Sequence, residues 1–230
     1  EKPIREEVER RVRAFVGALQ GGSVPPAASK ASAEVPGPFA YRVRAFYPGT
    51  GAQGRPIAQS GAITEDLVSR VMGPPDYSVW SQDEQPNRLL SLGANGILIL
   101  EVESGWVTDG PGADFVVFEN PFPVAGSSDV VFAETARVSV AEEDREDAYR
   151  TFPCDSVHSP YAGCAGVRPV IYHPDLPLDQ VGGDAFDLAD VGLRRIKFIR
   201  IQDTADQASL FPGKEGFDLD ALALLHTEAP

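Results

Sequence analysis

The chain has 230 residues, 43% of them hydrophobic, enough to bury a substantial core and too many for a disordered polymer. Its 34 acids against 20 bases give a net charge of −14, which argues against nucleic acid or an anionic membrane surface as the main partner and favours cations. The charge is lopsided, with 10 acids and 11 bases in residues 1–100 but 24 acids and 9 bases in residues 101–230.

Residues 3–19, "PIREEVERRVRAFVGAL", place Ile4, Val8, Val12, Phe15, Val16 and Leu19 at helical spacing behind an early proline and first-turn glutamates. This predicts an amphipathic N-terminal helix within residues 1–19. The Gly/Ser/Ala/Pro tract that follows has almost no large apolar residue and reads as a flexible linker over residues 20–38.

Residues 39–230 then read as one β-sandwich domain. Short aromatic and β-branched runs alternate with turn signals: "AYRVRAFY", "LLSL" and "ILILEVE" around "GANG", "FVVFE", "VVFA", "ARVSVA", "AYRTF", "VRPVIY", "RRIKFIRI" and "LDALALLH". One short helix is expected over 64–72, opened by Thr64 as N-cap and closed before "GPP". No helices alternate regularly with the strands, so a parallel α/β sheet is disfavoured. The run 136–152 predicts a β-hairpin with Val138 and Val140 on one face, and in "RRIKFIRI" the alternation breaks at Phe198–Ile199, the signature of a bulge. No stretch of the sequence is long and apolar enough to cross a bilayer.

Cys154 and Cys164 lie ten residues apart in a Gly/Pro/Ser-rich segment. Such a loop closes as one disulfide, in keeping with an exported protein; the alternative is a pair of buried thiols, which the exposed character of the flanking residues disfavours. The chain opens with Glu1 rather than Met, which is compatible with an export signal that was removed on maturation or trimmed from the sequence.

The acids gather at strand ends and in loops beside glycine. They are Asp109 and Asp114 in "DGPGADF", Glu119 after the next strand, Asp184, Asp187 and Asp190 in "GGDAFDLADVG", Asp203 and Asp206 in "QDTAD", and Asp218 and Asp220 in "GFDLDAL". A hard divalent cation such as Ca²⁺ takes six to eight oxygens, and glycine-rich loops let backbone carbonyls turn inward beside the carboxylates. None of these stretches is a helical calcium loop, so a site would be assembled across the fold, with Asp109, Asp114, Asp184, Asp187, Asp218 and Asp220 as the candidate ligands. Against this stands the ordinary use of aspartate in turns and caps. A four-residue strand rises roughly 13 Å, so Asp114 and Glu119 at its two ends are too far apart to share an ion.

No catalytic residues stand out. The nucleophile elbow, the zinc-binding histidine pair and the phosphate loop are missing from the sequence, no dinucleotide G-x-G-x-x-G opens a helix after a strand, and His158, His173 and His226 lie in separate segments. A thiolate at Cys154 beside His158 conflicts with the disulfide. A two-carboxylate glycosidase stays open as an alternative, with Trp80, Trp106 and Tyr161 as the few aromatic platforms a sugar would use.

With these strands placed, the hairpin "ARVSVAEEDREDAYRTF", the strand "LRRIKFIRIQD" and the last strand "GFDLDALALL" resemble the galactose-binding-like, discoidin-type jelly roll. More closely, "DGPGADFVVFEN", "FAETARVSV", "GGDAFDLADVGL" and "GFDLDALALL" resemble a family of exported bacterial cell-surface proteins, over roughly 41–226. The charged, glycine-free "VSVAEEDRE" departs from the hairpin turn usual in jelly rolls. The resemblance implies the fold, a secreted or cell-surface location and a structural calcium near one end of the jelly roll. The expectation is therefore a calcium-stabilised binding or adhesion module without enzymatic activity, whose partner is an extracellular glycan or surface protein. The alternatives are a polysaccharide hydrolase and a purely structural surface or matrix protein.

Overall fold

The computed structural model describes residues 38–51, 61–75, 89–103, 105–123, 131–171, 176–178, 180–205 and 216–230. The expected N-terminal helix and nearly all of the linker lie outside the described residues, as do Trp80, His173 and Asp206. In chain order the strands are β1 (Tyr41–Tyr47), β2 (Leu90–Ser91), β3 (Ile97–Val102), β4 (Trp106–Thr108), β5 (Phe115–Phe118), β6 (Phe122–Pro123), β7 (Val131–Phe132) and β8 (Ala136–Ala141). They continue with β9 (Arg150–Thr151), β10 (Asp184–Phe186), β11 (Arg195–Ile196), β12 (Phe198–Asp203), β13 (Asp218–Leu219), β14 (Ala221–Leu224) and β15 (Thr227–Glu228). The helix α1 (Glu65–Val71) starts where expected, with Thr64 accepting from the Leu67 N–H, and turns Leu67 and Val71 into the core.

The architecture is an all-β sandwich in which every strand pair is antiparallel. A five-stranded sheet of order β1-β3-β12-β8-β9 shares one hydrophobic core with a three-stranded sheet of order β10-β5-β14, and a second three-stranded sheet runs β11-β4-β15. Phe152, just past β9, meets Phe115 of β5 and Phe186 of β10 edge-on, with ring centroids 6.0 and 4.9 Å away. Both faces of β5 are buried, which explains why its sequence is an unbroken apolar run rather than an alternation.

The hairpin is present, with Ser139 opposite Thr151 and Val140 opposite Arg150. Two other segments behave differently from expectation. The "VRPVIY" run forms no strand over its described part: the N–H groups of Gly166, Val167 and Arg168 turn onto the Asp184 carboxylate instead of a ladder, and Pro169 has none to give. The break in "RRIKFIRI" is a change of sheet rather than a bulge. Arg195–Ile196 pairs with β4, Lys197 donates its N–H to the Ala141 carbonyl, and from Phe198 the chain runs between β3 and β8. Ile196 and Ile199, three residues apart, thereby both reach the core.

The edge strand β14 would expose outward N–H groups, a hazard that sheets suppress by covering them. Here the Leu224 N–H goes to the Pro38 carbonyl and the Leu222 N–H to the buried Tyr41 hydroxyl, which in turn donates to the Val71 carbonyl. Tyr41→Phe leaves a buried donor and a buried acceptor unpaired. It is expected to lower the free energy of unfolding by about 1–3 kcal/mol in urea titrations, and an unchanged midpoint would show that the hydroxyl bridge carries no weight.

Candidate functional site

The sheet β10-β5-β14 sorts the acids. Phe186 pairs with Phe115 and Leu224 with Phe115, so Asp187, Asp114 and the chain after Leu224 meet at one end. Asp184 pairs with Val117 and Ala221 with Phe118, so Asp184, Glu119, Asp218 and Asp220 meet at the other. The six aspartates singled out from the sequence thus divide between two centres at opposite ends of β5, with three in each.

At the first end Asp114 is fully buried. Its Oδ1 accepts the Gly110 N–H at 2.7 Å and stands 3.0 Å from His226 Nδ1, while its Oδ2 accepts the Leu188 N–H at 2.7 Å. Its own N–H donates to the Phe186 carbonyl and its carbonyl accepts from Leu225, which locks β5 to both neighbours. Gly110 is required by close approach: a Cβ there would lie 2.3 Å from His226 Nδ1. Asp187 caps the following 3₁₀ turn, Leu188–Val191, by accepting the Ala189 N–H. Oxygens of Asp109, Asp114 and Asp187 all lie within 4.8 Å of one another, a spacing at which the three carboxylates could hold a metal ion. Asp109 is exposed and Asp187 half-buried, so an ion would enter from solvent.

At the second end Asp184 takes three backbone N–H groups on Oδ2, from Gly166 at 2.8 Å, Val167 at 2.9 Å and Arg168 at 3.4 Å. Burial outweighs those donors and pushes its carboxyl up to about 6. Glu119 is raised well above the usual carboxylate range, first by burial and then by the charges of Asp218 and Glu134. Gly183, opposite this strand end at a φ of +74°, has its missing Cβ position 2.6 Å from the Phe118 ring.

Next to Asp184 a cleft of about 680 Å³ opens to solvent. Phe152, Tyr161, Arg168, Asp184, Phe186 and Asp190 are among the residues that line it. One wall is the loop closed by the Cys154–Cys164 disulfide, which is formed as the spacing implied. Within that loop Tyr161 adopts a left-handed φ of +58°, a conformation that costs a non-glycine residue energy and that neighbouring structure must hold in place. The lining also includes Asp190, on the 3₁₀ turn that Asp187 caps. The two aromatic candidates separate: Tyr161 reaches the cleft, whereas Trp106 is half-buried with the Arg195 guanidinium 4.1 Å above its ring.

No protein-family model matches the chain, and no curated protein matches it. No helix among the described residues is long and apolar enough to cross a membrane.

Sequence reading missed His226 as a partner of Asp114 and Glu119 and Glu134 as members of the second centre. The sole signal was position: His226 ends the β14 run as Asp114 begins β5, and only the antiparallel register joins them.

Asp184 binds its proton more tightly folded, at about 6, than unfolded, near 3.8, so the folded state carries the extra proton between those values. The contribution of Asp184 to stability is therefore fully present below about pH 4, falls as pH rises through the window to about 6 and is lost above it. Glu119 extends the decline further upward. The Asp184 shift alone corresponds to about 3 kcal/mol. Urea unfolding in EDTA from pH 4 to 8 should show this decline, and a rise in stability over pH 4–6 would contradict the assignment.

Proposed function

We propose that the chain is a Ca²⁺-stabilised extracellular recognition module of a bacterial cell surface, with the cleft beside the disulfide loop as its binding site and a carbohydrate as its ligand. The observation that carries this reading is the linkage between ion centre and cleft through a single 3₁₀ turn. Asp114 accepts the Leu188 N–H and Asp187 caps the turn, while Asp190, on the same turn, lines the cleft. A cation held by Asp109, Asp114 and Asp187 fixes that wall. Ca²⁺ suits the donor set because all three ligands are carboxylate oxygens and the acidic C-terminal half draws in hard cations.

Several features of the cleft favour a sugar. Its volume is in the range of small-ligand sites. Tyr161 offers an aromatic face to the C–H face of a sugar ring together with a hydroxyl, and the exposed Arg168 and Asp190 offer a donor fork and an acceptor to ring hydroxyls. Holding Tyr161 in a disulfide-closed loop limits the ordering entropy that binding would otherwise cost. The exported location is supported by that disulfide, since such bonds persist in oxidising compartments.

One observation favours a second reading as a polysaccharide hydrolase. Asp184, whose carboxyl stays protonated to about pH 6, lines the cleft together with the solvent-exposed Asp190, an acid and a carboxylate in one groove.

A glycan array probed with the Ca²⁺-loaded chain is expected to give saturable binding to a restricted set of saccharides, reduced at least tenfold by Tyr161→Ala with the unfolding transition preserved. Ca²⁺ at 100 times its dissociation constant should add about 2.7 kcal/mol of stability, and EDTA should remove it. Absence of binding to any glycan by the Ca²⁺-loaded chain sinks the recognition reading, whereas release of reducing sugar, lost in Asp184→Asn, promotes the hydrolase.

A further inference from the structure

The cleft holds one acceptor that the rest of the chain leaves unused. Asp184 lines it while only 7% exposed, and the N–H groups of Gly166, Val167 and Arg168 all converge on its Oδ2. Those donors hold Oδ2 in place and leave Oδ1 without a hydrogen-bond partner among the described residues. Oδ1 is not one of the sealed, unpaired oxygens, so the open cleft is where it meets solvent. A buried carboxylate with one oxygen anchored and the other free is a preorganised acceptor.

The rest of the lining sets the charge around that acceptor. Arg168 stands near enough for its charge to favour the Asp184 carboxylate, but its exposed guanidinium forms no ion pair among the described residues. Asp190, also exposed, adds a second carboxylate without a side-chain partner among them. Two carboxylates against one guanidinium leave the lining with a net charge of −1 at neutral pH, where Asp184, pushed up by burial to about 6, is ionised. A ligand that fills the cleft strips water from Oδ1 and must bring a donor to it, because an acceptor or an apolar group there leaves a buried ion unpaired. A sugar hydroxyl is such a donor. A charged donor makes a shorter and roughly twice stronger bond, and it also offsets the negative balance of the lining. The Arg168 fork, unpaired with Asp184, stays available to the ligand's own oxygens.

From this arrangement we infer that the cleft selects saccharides that carry a free amine, bound as the ammonium on Asp184 Oδ1 with Asp190 as the second carboxylate and Tyr161 against the sugar ring. The inference rests on the recognition reading above and makes Asp184 the residue that sets specificity within it. Asp184→Asn gives it a sharp signature. The three amides still require an oxygen, so the asparagine carbonyl takes the place of Oδ2 and the side-chain NH₂ turns the free acceptor into a donor.

The test is calorimetric titration of the Ca²⁺-loaded full chain, at a pH just above 6, with a short glucosamine oligomer bearing free amines, its N-acetylated counterpart and an oligogalacturonate. The amine oligomer should bind at least tenfold more tightly than either of the others. In Asp184→Asn that preference should vanish or invert toward the N-acetylated oligomer, with the unfolding transition preserved. Glu143→Gln, the same change of charge at an exposed position outside the cleft lining, should keep it. Equal or tighter binding of the N-acetylated or uronate oligomer, or no binding of the amine oligomer while other glycans bind, overturns the inference and leaves the recognition reading standing. Failure of every glycan to bind removes both. An amine preference that survives Asp184→Asn, or falls equally in Glu143→Gln, is the general attraction of an amine to an acidic protein and overturns the inference too. Should Asp184→Asn not fold, Asp190→Asn takes its place, with a loss of at least threefold in amine affinity expected and an unchanged affinity overturning the inference.

Discussion

A carboxylate sealed from water must find its donors inside the protein, and the Asp114 carboxylate does so by recruiting three separate pieces of chain. Gly110 closes its own loop onto Oδ1, Leu188 brings the 3₁₀ turn after β10 onto Oδ2, and His226 arrives from the end of β14. Removing any of these donors leaves buried charge less compensated, which is far costlier than losing an exposed contact. The position of the 3₁₀ turn, and with it one wall of the cleft, follows from that requirement.

The three-stranded sheet is consequently a strip of apolar surface with acids at both ends. Phe115, Val116, Val117 and Phe118 are buried on both faces, so polar groups are excluded from the middle and collect where the strands stop. The antiparallel register then brings together acids that are distant in sequence: Asp114 with Asp187, and Glu119 with Asp184. A large negative charge ordinarily serves solubility. Here part of it is buried, where salt screens like charges poorly.

Much of the fold was legible in the sequence because it rests on local patterns. The strands β1, β3, β8 and β12 announce themselves by alternating or β-branched runs, α1 by its Thr64 cap, and the disulfide by the spacing of Cys154 and Cys164. Strands such as β4, "WVT", and β10, "DAF", are too short to show a period. "VRPVIY" looks like a strand and is not, because the amides of Val167 and Arg168 are taken by an aspartate some sixteen residues away and Pro169 has none, a competition no local reading contains.

The site was legible in its residue types and not in its grouping. All six aspartates sit at strand ends, as their glycine neighbours implied, and the separation of Asp114 from Glu119 by one strand length is what divides them between two centres. Which acids share a centre depends on strand order and register, information that lies between segments rather than within them. The most direct test is hydrogen-exchange mass spectrometry of the chelator-stripped chain with and without Ca²⁺. The account predicts slower exchange confined to 109–119, 184–190 and 218–226, with β1 and β3 unchanged, whereas identical exchange in the two conditions would contradict it.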